Sequence, residues 1–275
     1  VAAPAQRPIR RVGFIGLGAM GGALATRIIG AGFPTVLWAR RPEVMASYDA
    51  PNVEVAASPA EMAAGVDLVG ICVWDDDDVR EVLAGDSGVL AGCGPGTVIA
   101  IHSTIRPATC RQLATAGAAR EVAVIDAPVS GGRDVALAGS LVVAVGGDDA
   151  AFEQCRPVFA SFGDPVVHVG PVGTGQFAKL VNNALLAANL ALADDALALA
   201  ESMGVEPEAM AEVLKHGSGR SFGLDVALRA RRSPETRRAV REPLEKDMRN
   251  LTSEAGEDTA LLAEAAMEAL RRLAE

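Results

Sequence analysis

Arg11-Val-Gly-Phe-Ile-Gly-Leu-Gly-Ala-Met-Gly21 is the stretch that decides the fold of this chain. Its first five residues read as a short buried strand, and a helix-like pattern follows the turn to about Ala31. Between them Gly16, Gly18 and Gly21 stand in the spacing GxGxxG. In a strand–turn–helix setting each glycine has a physical task. The first makes a tight turn, the second lets a pyrophosphate approach the backbone, and the third lets the helix pack on its strand. Leu17, Ala19 and Met20 complete the turn, and phosphates would sit on the helix N-terminus. Taken alone, the motif also suits a glycine-rich turn of another α/β fold.

Thr35 to Trp38 reads as the second strand. NAD-specific sites place an Asp or Glu near the end of this strand to hold the ribose 2′-hydroxyl. Here Arg40 and Arg41 take that place. A carboxylate would repel a 2′-phosphate, whereas a guanidinium binds one bidentately, so the pair predicts NADP (NADPH) in preference to NAD. The plainer alternative is two solvated loop arginines.

The βα rhythm continues. Val53 to Ala56 is a brief strand, and Ser58 caps a helix opened by Pro59. Asp67 to Val73 is an apolar strand that ends in Trp74 and the run Asp75 to Asp78, which most simply caps the next helix. Val73 and Trp74 thus stand at the carboxyl end of a strand, where ligands bind in open α/β sheets. Thr97 to Ile101 is a further strand, followed by His102-Ser-Thr104 and a helix led by Pro107. His102 could serve as a base, but a loop histidine without an acidic partner in view is more often structural. Glu121 to Asp126 is the next strand, and it runs into Ala-Pro-Val-Ser130-Gly131-Gly132. The serine hydroxyl and the unhindered N–H groups of the glycines make either a nest for a carboxylate or an ordinary turn. Leu141 to Val145, a helix near Ala150 to Phe162, and Val166 to Val169 complete the α/β part.

Gly173 to Asn183, GTGQFAKLVNN, then opens a long helical pattern that runs to about Met203 and is stopped by Gly204. A helix of this length spans roughly 40 Å or more, enough to pass between two domains. Phe177, Leu180, Val181, Leu185, Leu186, Leu190, Leu192 and Leu197 make it apolar on most faces, which predicts a buried helix. Its first turns carry Lys179, Asn182 and Asn183, and Lys179 and Asn183 share one face. Beyond Gly204 the pattern is helical: Glu206 to His216, a loop at Gly217 to Ser221, a charged segment from Arg229 to Arg241, and a final amphipathic helix from Thr259 to Leu273. The expectation is an α/β Rossmann dinucleotide-binding domain over residues 1–172. An all-α substrate and dimerisation domain over 173–275 would follow, joined to it by the long central helix.

Composition narrows the classes. The chain has 275 residues, 50% hydrophobic and 22% charged, with a mean hydropathy of +0.25. A formal charge of −10 without a Lys/Arg block argues against a nucleic-acid partner. Asn182, Asn183, Asn189, Asp194 and Asp195 interrupt the long helix and argue against a membrane span. VAAPAQRPIRR at the start lacks the apolar core of a secretory signal. Cys72, Cys93, Cys110 and Cys155 show no metal spacing, so no metal is expected and free thiols in the cytoplasm are the default. Of 25 basic residues only Lys179, Lys215 and Lys246 are lysines. Lys can give up a proton near neutral pH when its surroundings depress its pKa, and Arg cannot.

Four ordered segments carry a family resemblance: FIGLGAMG at Phe14 to Gly21, DAPVSGG at Asp126 to Gly132, GQFAKLVNN at Gly175 to Asn183 and EKDMRN at Glu245 to Asn250. Together they resemble the β-hydroxyacid dehydrogenases, the family of 3-hydroxyisobutyrate dehydrogenase, tartronate semialdehyde reductase and the glyoxylate/succinic semialdehyde reductases. The resemblance implies Lys179 as catalytic lysine and Asn183 as its substrate-holding partner. It implies Ser130, Gly131 and Gly132 as the carboxylate site, and Val73 and Thr104 on the nicotinamide side of the cofactor. Lys246 and Asp247 would close the cleft, with Lys246 near cofactor and substrate. It further implies a small carboxylate-bearing substrate and a homodimer or homotetramer. Trp74 with the Asp75–Asp78 run, His102, and the Arg-rich Arg229 to Arg241 segment depart from the usual pattern and leave the substrate open.

The residues can perform that chemistry. Hydride transfer to a carbonyl needs orientation, a carboxylate anchor and one group that exchanges a proton with the oxygen. Lys179 is the strong candidate, with Asn183 orienting the substrate from the same face. Two other classes stay open. An imine reductase of the same architecture would commonly carry Asp or Tyr where Lys179 stands. A non-catalytic NADP-binding scaffold should have lost Lys179 or the Ser130 loop.

Overall fold

The computed structural model describes residues 8–255 and 260–274. Residues 1–7 of the N-terminal stretch, and Thr259 as the start of the final helix, lie outside the described residues. The chain begins with β1 (Val12–Ile15), α1 (Ala19–Gly30), β2 (Thr35–Trp38), a 3-10 turn (Pro42–Ser47), β3 (Val53–Val55) and α2 (Pro59–Ala63). It continues with β4 (Leu68–Ile71), α3 (Asp76–Ala84), α4 (Val89–Gly92), β5 (Val98–Ile101), α5 (Pro107–Ala118) and β6 (Ala123–Asp126). β7 (Val129–Ser130), α6 (Arg133–Leu137), β8 (Leu141–Gly146), α7 (Asp149–Phe159) and β9 (Gly163–Gly170) follow. The helical part comprises α8 (Thr174–Ser202), α9 (Pro207–His216), α10 (Phe222–Arg232), α11 (Pro234–Ala255) and α12 (Ala260–Ala274).

By compactness the chain divides into two units, Val1–Lys179 and Leu180–Glu275. The division falls within α8, whereas the sequence suggested a boundary after residue 172.

In the first unit the sheet runs β3-β2-β1-β4-β5-β6-β8-β7, with β9 on β8. The first six strands are parallel neighbours, which is the doubly wound Rossmann arrangement. β1, β4 and β5 are buried along their whole length, as a sheet covered on both faces requires. Leu24 and Ile28 of α1 and Phe159 of α7 fill one face. Met62, Val79, Leu83 and Leu113 fill the other. Deleting a side chain such as Leu24, which has no exposed surface, would cost about 2–5 kcal/mol.

Register aligns the strand ends. Trp38 pairs with Ile15, Ile15 with Ile71, Ile71 with Ile101, and Ile101 with Asp126. This row is the carboxyl edge of the parallel sheet, and every loop expected to bind a ligand leaves from it. β4 ends at Ile71, so Val73 and Trp74 stand in the turn beyond the strand. Around the Ser130–Gly132 turn the structure adds two short elements that no sequence pattern signalled, β7 and α6.

In the second unit, Leu180, Ala184, Ala187 and Leu190 of α8 pack with Val226 and Ala230 of α10, Leu244 and Met248 of α11, and Ala266 and Leu270 of α12. The segment from Arg229 to Arg241, expected only as charged, is helical in α10 and α11. Its apolar positions are few, so periodicity did not reveal it. One expectation for α8 is corrected. Phe177, Val181, Leu185, Leu192 and Leu199 form an exposed stripe along it, continued by the exposed Met203 just past its end. α8 is long and apolar enough to cross a membrane by length and composition alone. Its packed face is what the core of a helical unit also demands.

Candidate active site

The loop after β1 fits a dinucleotide. Gly16 adopts φ +91, and a Cβ there would lie 2.1 Å from the Cys72 carbonyl oxygen. A Cβ on Gly21 would lie 1.8 Å from the Gly16 oxygen, so α1 packs on its strand only with glycine here. At Gly18 a Cβ would meet nothing within 4 Å, which leaves open the space a pyrophosphate needs. These residues line a cleft of about 450 Å³ together with Leu17, Ala19, Met20, Trp38, Arg40, Arg41, Val73, Trp74 and Asp78. The cleft thus gathers the expected cofactor residues of the first unit except Thr104, which leaves the same sheet edge after β5.

The four aspartates after Trp74 divide their work. Asp75 caps α3 by accepting the N–H groups of Asp77 and Asp78. Asp76 is buried and pairs with the Arg106 guanidinium at 3.1 Å. Asp77 lies 3.7 Å from Arg80 on the surface. Asp78 accepts from Arg40 Nη2 at 2.9 Å and from the Trp74 N–H at 3.3 Å. Arg40 Nη2 also donates to Glu81 at 3.1 Å. The sequence placed Arg40 in the cleft; it gave no sign of these acidic partners on α3.

The first turn of α8 is tied to the sheet edge by residues that sequence reasoning missed. Asp126 accepts the N–H of Gly173 at 2.6 Å and that of Gln176 at 2.7 Å, satisfying donors that a helix N-terminus otherwise leaves orphaned. Burial pushes the Asp126 carboxyl up to about 6, while the Gly173 and Gln176 N–H groups pull it down. Gln176 is itself buried. Its Oε1 accepts the Ile105 N–H at 3.1 Å, and its Nε2 donates to the Ser103 carbonyl at 2.8 Å. The Ser103 hydroxyl accepts the Val73 N–H at 2.8 Å. A continuous set of bonds therefore runs from Val73 in the cleft, through Ser103 and Gln176, to the helix turn that carries Lys179. Lys179 is half-buried, less enclosed than the apolar pattern of α8 suggested.

Ser130 ends β7, and Gly131 and Gly132 follow with φ +142 and +87. Nothing within 4 Å would meet a Cβ on Gly132, so its backbone faces open space. The loop leaves the carboxyl edge beyond β6, as the glycine loop does beyond β1.

His102 is removed from the candidates. It is buried, its Nδ1 lies 2.8 Å from the Ala127 carbonyl, and Phe14, Phe159 and Phe162 surround its ring. Burial lowers its pKa to about 4, so it is a neutral core histidine at neutral pH.

Within the helical unit, Asn183 Nδ2 donates to Asp247 Oδ2 at 2.6 Å, and Asn182 Nδ2 donates to Asn183 Oδ1 at 3.1 Å. Asn183 and Asp247 are buried. Lys246 Nζ lies 3.7 Å from Asp247 Oδ1. The structure therefore brings Asn183, Lys246 and Asp247 into one polar cluster. Among the described residues no group of His, Cys, Asp or Glu could hold a metal.

Comparison with known proteins agrees with this geometry. Residues 11–170 match the family model of the NAD binding domain of 6-phosphogluconate dehydrogenase. Residues 173–275 match that of the NAD-binding region of NADP-dependent 3-hydroxyisobutyrate dehydrogenase. A 2-(hydroxymethyl)glutarate dehydrogenase of Eubacterium barkeri is 34% identical over 79% of this chain and 72% of its own. An NAD-dependent L-serine dehydrogenase of Pseudomonas aeruginosa is 36% identical over 79% and 73%. Among solved structures, Mycobacterium tuberculosis 3-hydroxyisobutyrate dehydrogenase with L-serine superposes with a TM-score of 0.83 at 25% identity, covering 97% of this chain and 94% of that one. Psf3 in complex with NADP+ and 2-OPP gives a TM-score of 0.83 at 28% identity, over 95% and 93%. A Streptomyces aurantiacus imine reductase, at 21% identity and a TM-score of 0.68 over 95% and 93%, shares the fold.

Proposed function

The chain belongs to the β-hydroxyacid dehydrogenase family, and from that premise we propose an NADP-dependent oxidoreductase that interconverts a small β-hydroxy acid and its semialdehyde acid, with Lys179 as general acid/base. The observation that carries this reading is the bonded path from Val73 through Ser103 and Gln176 to the turn of α8 bearing Lys179. It ties the start of α8, three residues before Lys179, to the edge of the cofactor cleft, which supports the fixed geometry that proton transfer in a transition state needs.

A bound nicotinamide would supply or accept the hydride. Lys179 gives a proton to the carbonyl oxygen in reduction and takes the hydroxyl proton in oxidation. Ser130 and the N–H groups of Gly131 and Gly132 receive the substrate carboxylate. Asn183, oriented by Asp247, bonds the substrate from the face of α8 shared with Lys179. Arg40 and Arg41 receive the 2′-phosphate. An imine reductase is the weaker reading, because Lys179 stands where an Asp or Tyr would be expected. A non-catalytic scaffold is weaker still, because Lys179 and the Ser130 loop are both present.

A dimer or tetramer would cover the exposed α8 stripe from Phe177 to Leu199. Cys72, Cys93, Cys110 and Cys155 form no disulfide, in keeping with a cytoplasmic enzyme. The test is NADPH oxidation against a panel of semialdehyde and 2-oxo acids, beside light scattering at micromolar concentration. NADPH binding with no turnover on any of them would leave the scaffold reading, and a monomer would remove the proposed assembly.

A further inference from the structure

Arg40 enters the cleft from the end of β2, and Asp78 enters it from α3. One nitrogen, Arg40 Nη2, serves both Asp78 Oδ1 at 2.9 Å and Glu81 Oε2 at 3.1 Å. Asp78 is in turn held by the Trp74 N–H, so its carboxylate is anchored to the turn after β4. A 2′-phosphate carries up to two negative charges and would take the Arg40 guanidinium by paired hydrogen bonds. To do so it must displace at least one carboxylate from Nη2 and tolerate the other nearby. NADH brings no phosphate to this place and leaves the pairing intact.

We infer that Asp78 and Glu81 are specificity-determining residues that compete with the cofactor 2′-phosphate for Arg40 and so limit discrimination in favour of NADPH. The inference rests on the reading that Arg40 faces the 2′ position, and its sign is opposite to that of Arg40 itself. Arg40 favours the phosphorylated cofactor, and the two carboxylates moderate that preference. The chain would then accept both cofactors more evenly than its two arginines alone suggest.

Equilibrium binding tests this without any substrate. Trp38 and Trp74 are the only tryptophans of the chain, and both line the cleft, so intrinsic fluorescence reports each cofactor. NADPH and NADH affinities are measured for the wild type, Glu81→Gln and Asp78→Asn/Glu81→Gln, each with and without Arg40→Ala. The Glu81 side chain takes no part in the N-terminal cap of α3, which Asp75 makes, so Glu81→Gln separates the charge effect from any disturbance of that helix. Two unit charges about 4 Å apart in water interact by enough to change an equilibrium about fivefold. The expected result is a gain in NADPH affinity of about fivefold for the single variant, larger for the double, with NADH affinity nearly unchanged. The gain should shrink markedly in the Arg40→Ala background. Equal shifts for both cofactors, a loss of NADPH affinity, or the same gain without Arg40 would each overturn the competition. A wild type that prefers NADH while Glu81→Gln still moves it towards NADPH would defeat the proposed cofactor and leave this inference standing.

Discussion

Gln176 Nε2 donates to the Ser103 carbonyl at 2.8 Å, across 73 residues of sequence. With the Ile105 N–H on its Oε1, the side chain brackets Thr104 and locks the start of α8 to the end of β5. Gln176→Leu keeps the approximate volume but leaves a buried N–H and a buried carbonyl unpaired, at about 1–3 kcal/mol. Denaturant unfolding should show that loss. Turnover should fall by about tenfold or more, because small misplacements of a reacting group are costly, while NADPH affinity barely moves. Unchanged turnover would mean that this bond does not position Lys179.

Lys179→Ala should lower turnover by about 10²–10⁴-fold, the usual contribution of a positioned acid or base, with NADPH still bound. Lys179→Arg keeps the charge and cannot exchange the proton. It should therefore rescue little. Near wild-type turnover by the arginine variant would make Lys179 an anchor and require water as the proton source, since His102 is sealed in the core.

The buried His102 ring predicts a pH effect on stability. Its pKa is lowered from 6.5 to about 4 in the fold, so the unfolded chain takes up the proton first as pH falls. Its contribution is complete above about pH 6.5 and is lost through that window at roughly 1.4 kcal/mol per pH unit, levelling off near pH 4. Urea unfolding followed from about pH 7.5 down to about pH 4.5 should show a shallower slope of stability against pH for His102→Gln. The same slope in both proteins would show that His102 does not titrate as a buried group.

Asn250 supplies a stability prediction of opposite sign. It is buried on α11, and its Nδ2 has no hydrogen-bond partner among the described residues. Asn250→Leu removes that unsatisfied donor while keeping the number and branching of side-chain heavy atoms, and should stabilise the protein by about 1–3 kcal/mol. A lower midpoint in denaturant would mean that the amide has an acceptor under native conditions.

The sequence by itself determined what depends on neighbours along the chain. Gly16, Gly18 and Gly21 fix a turn of six residues. Ser58 and Asp75 cap the helices that begin beside them. The alternation of strand and helix patterns after that turn gave the Rossmann class, and Lys179 and Asn183 share a helix face by spacing alone. Local rules also failed locally: Arg229 to Arg241 reads as a charged run, yet i,i+4 pairs such as Arg241–Glu245 support it as helix. Tertiary structure alone decided which distant partners each side chain meets. Asp126 reaches Gly173 and Gln176, Arg40 is taken by Asp78 and Glu81, Asn183 by Asp247, and His102 is enclosed by three phenylalanines. Hydrogen bonds and ion pairs of this kind form after the sheet edge and the helices are in place. Their energy depends on distance and desolvation in space, which no pattern along the chain encodes.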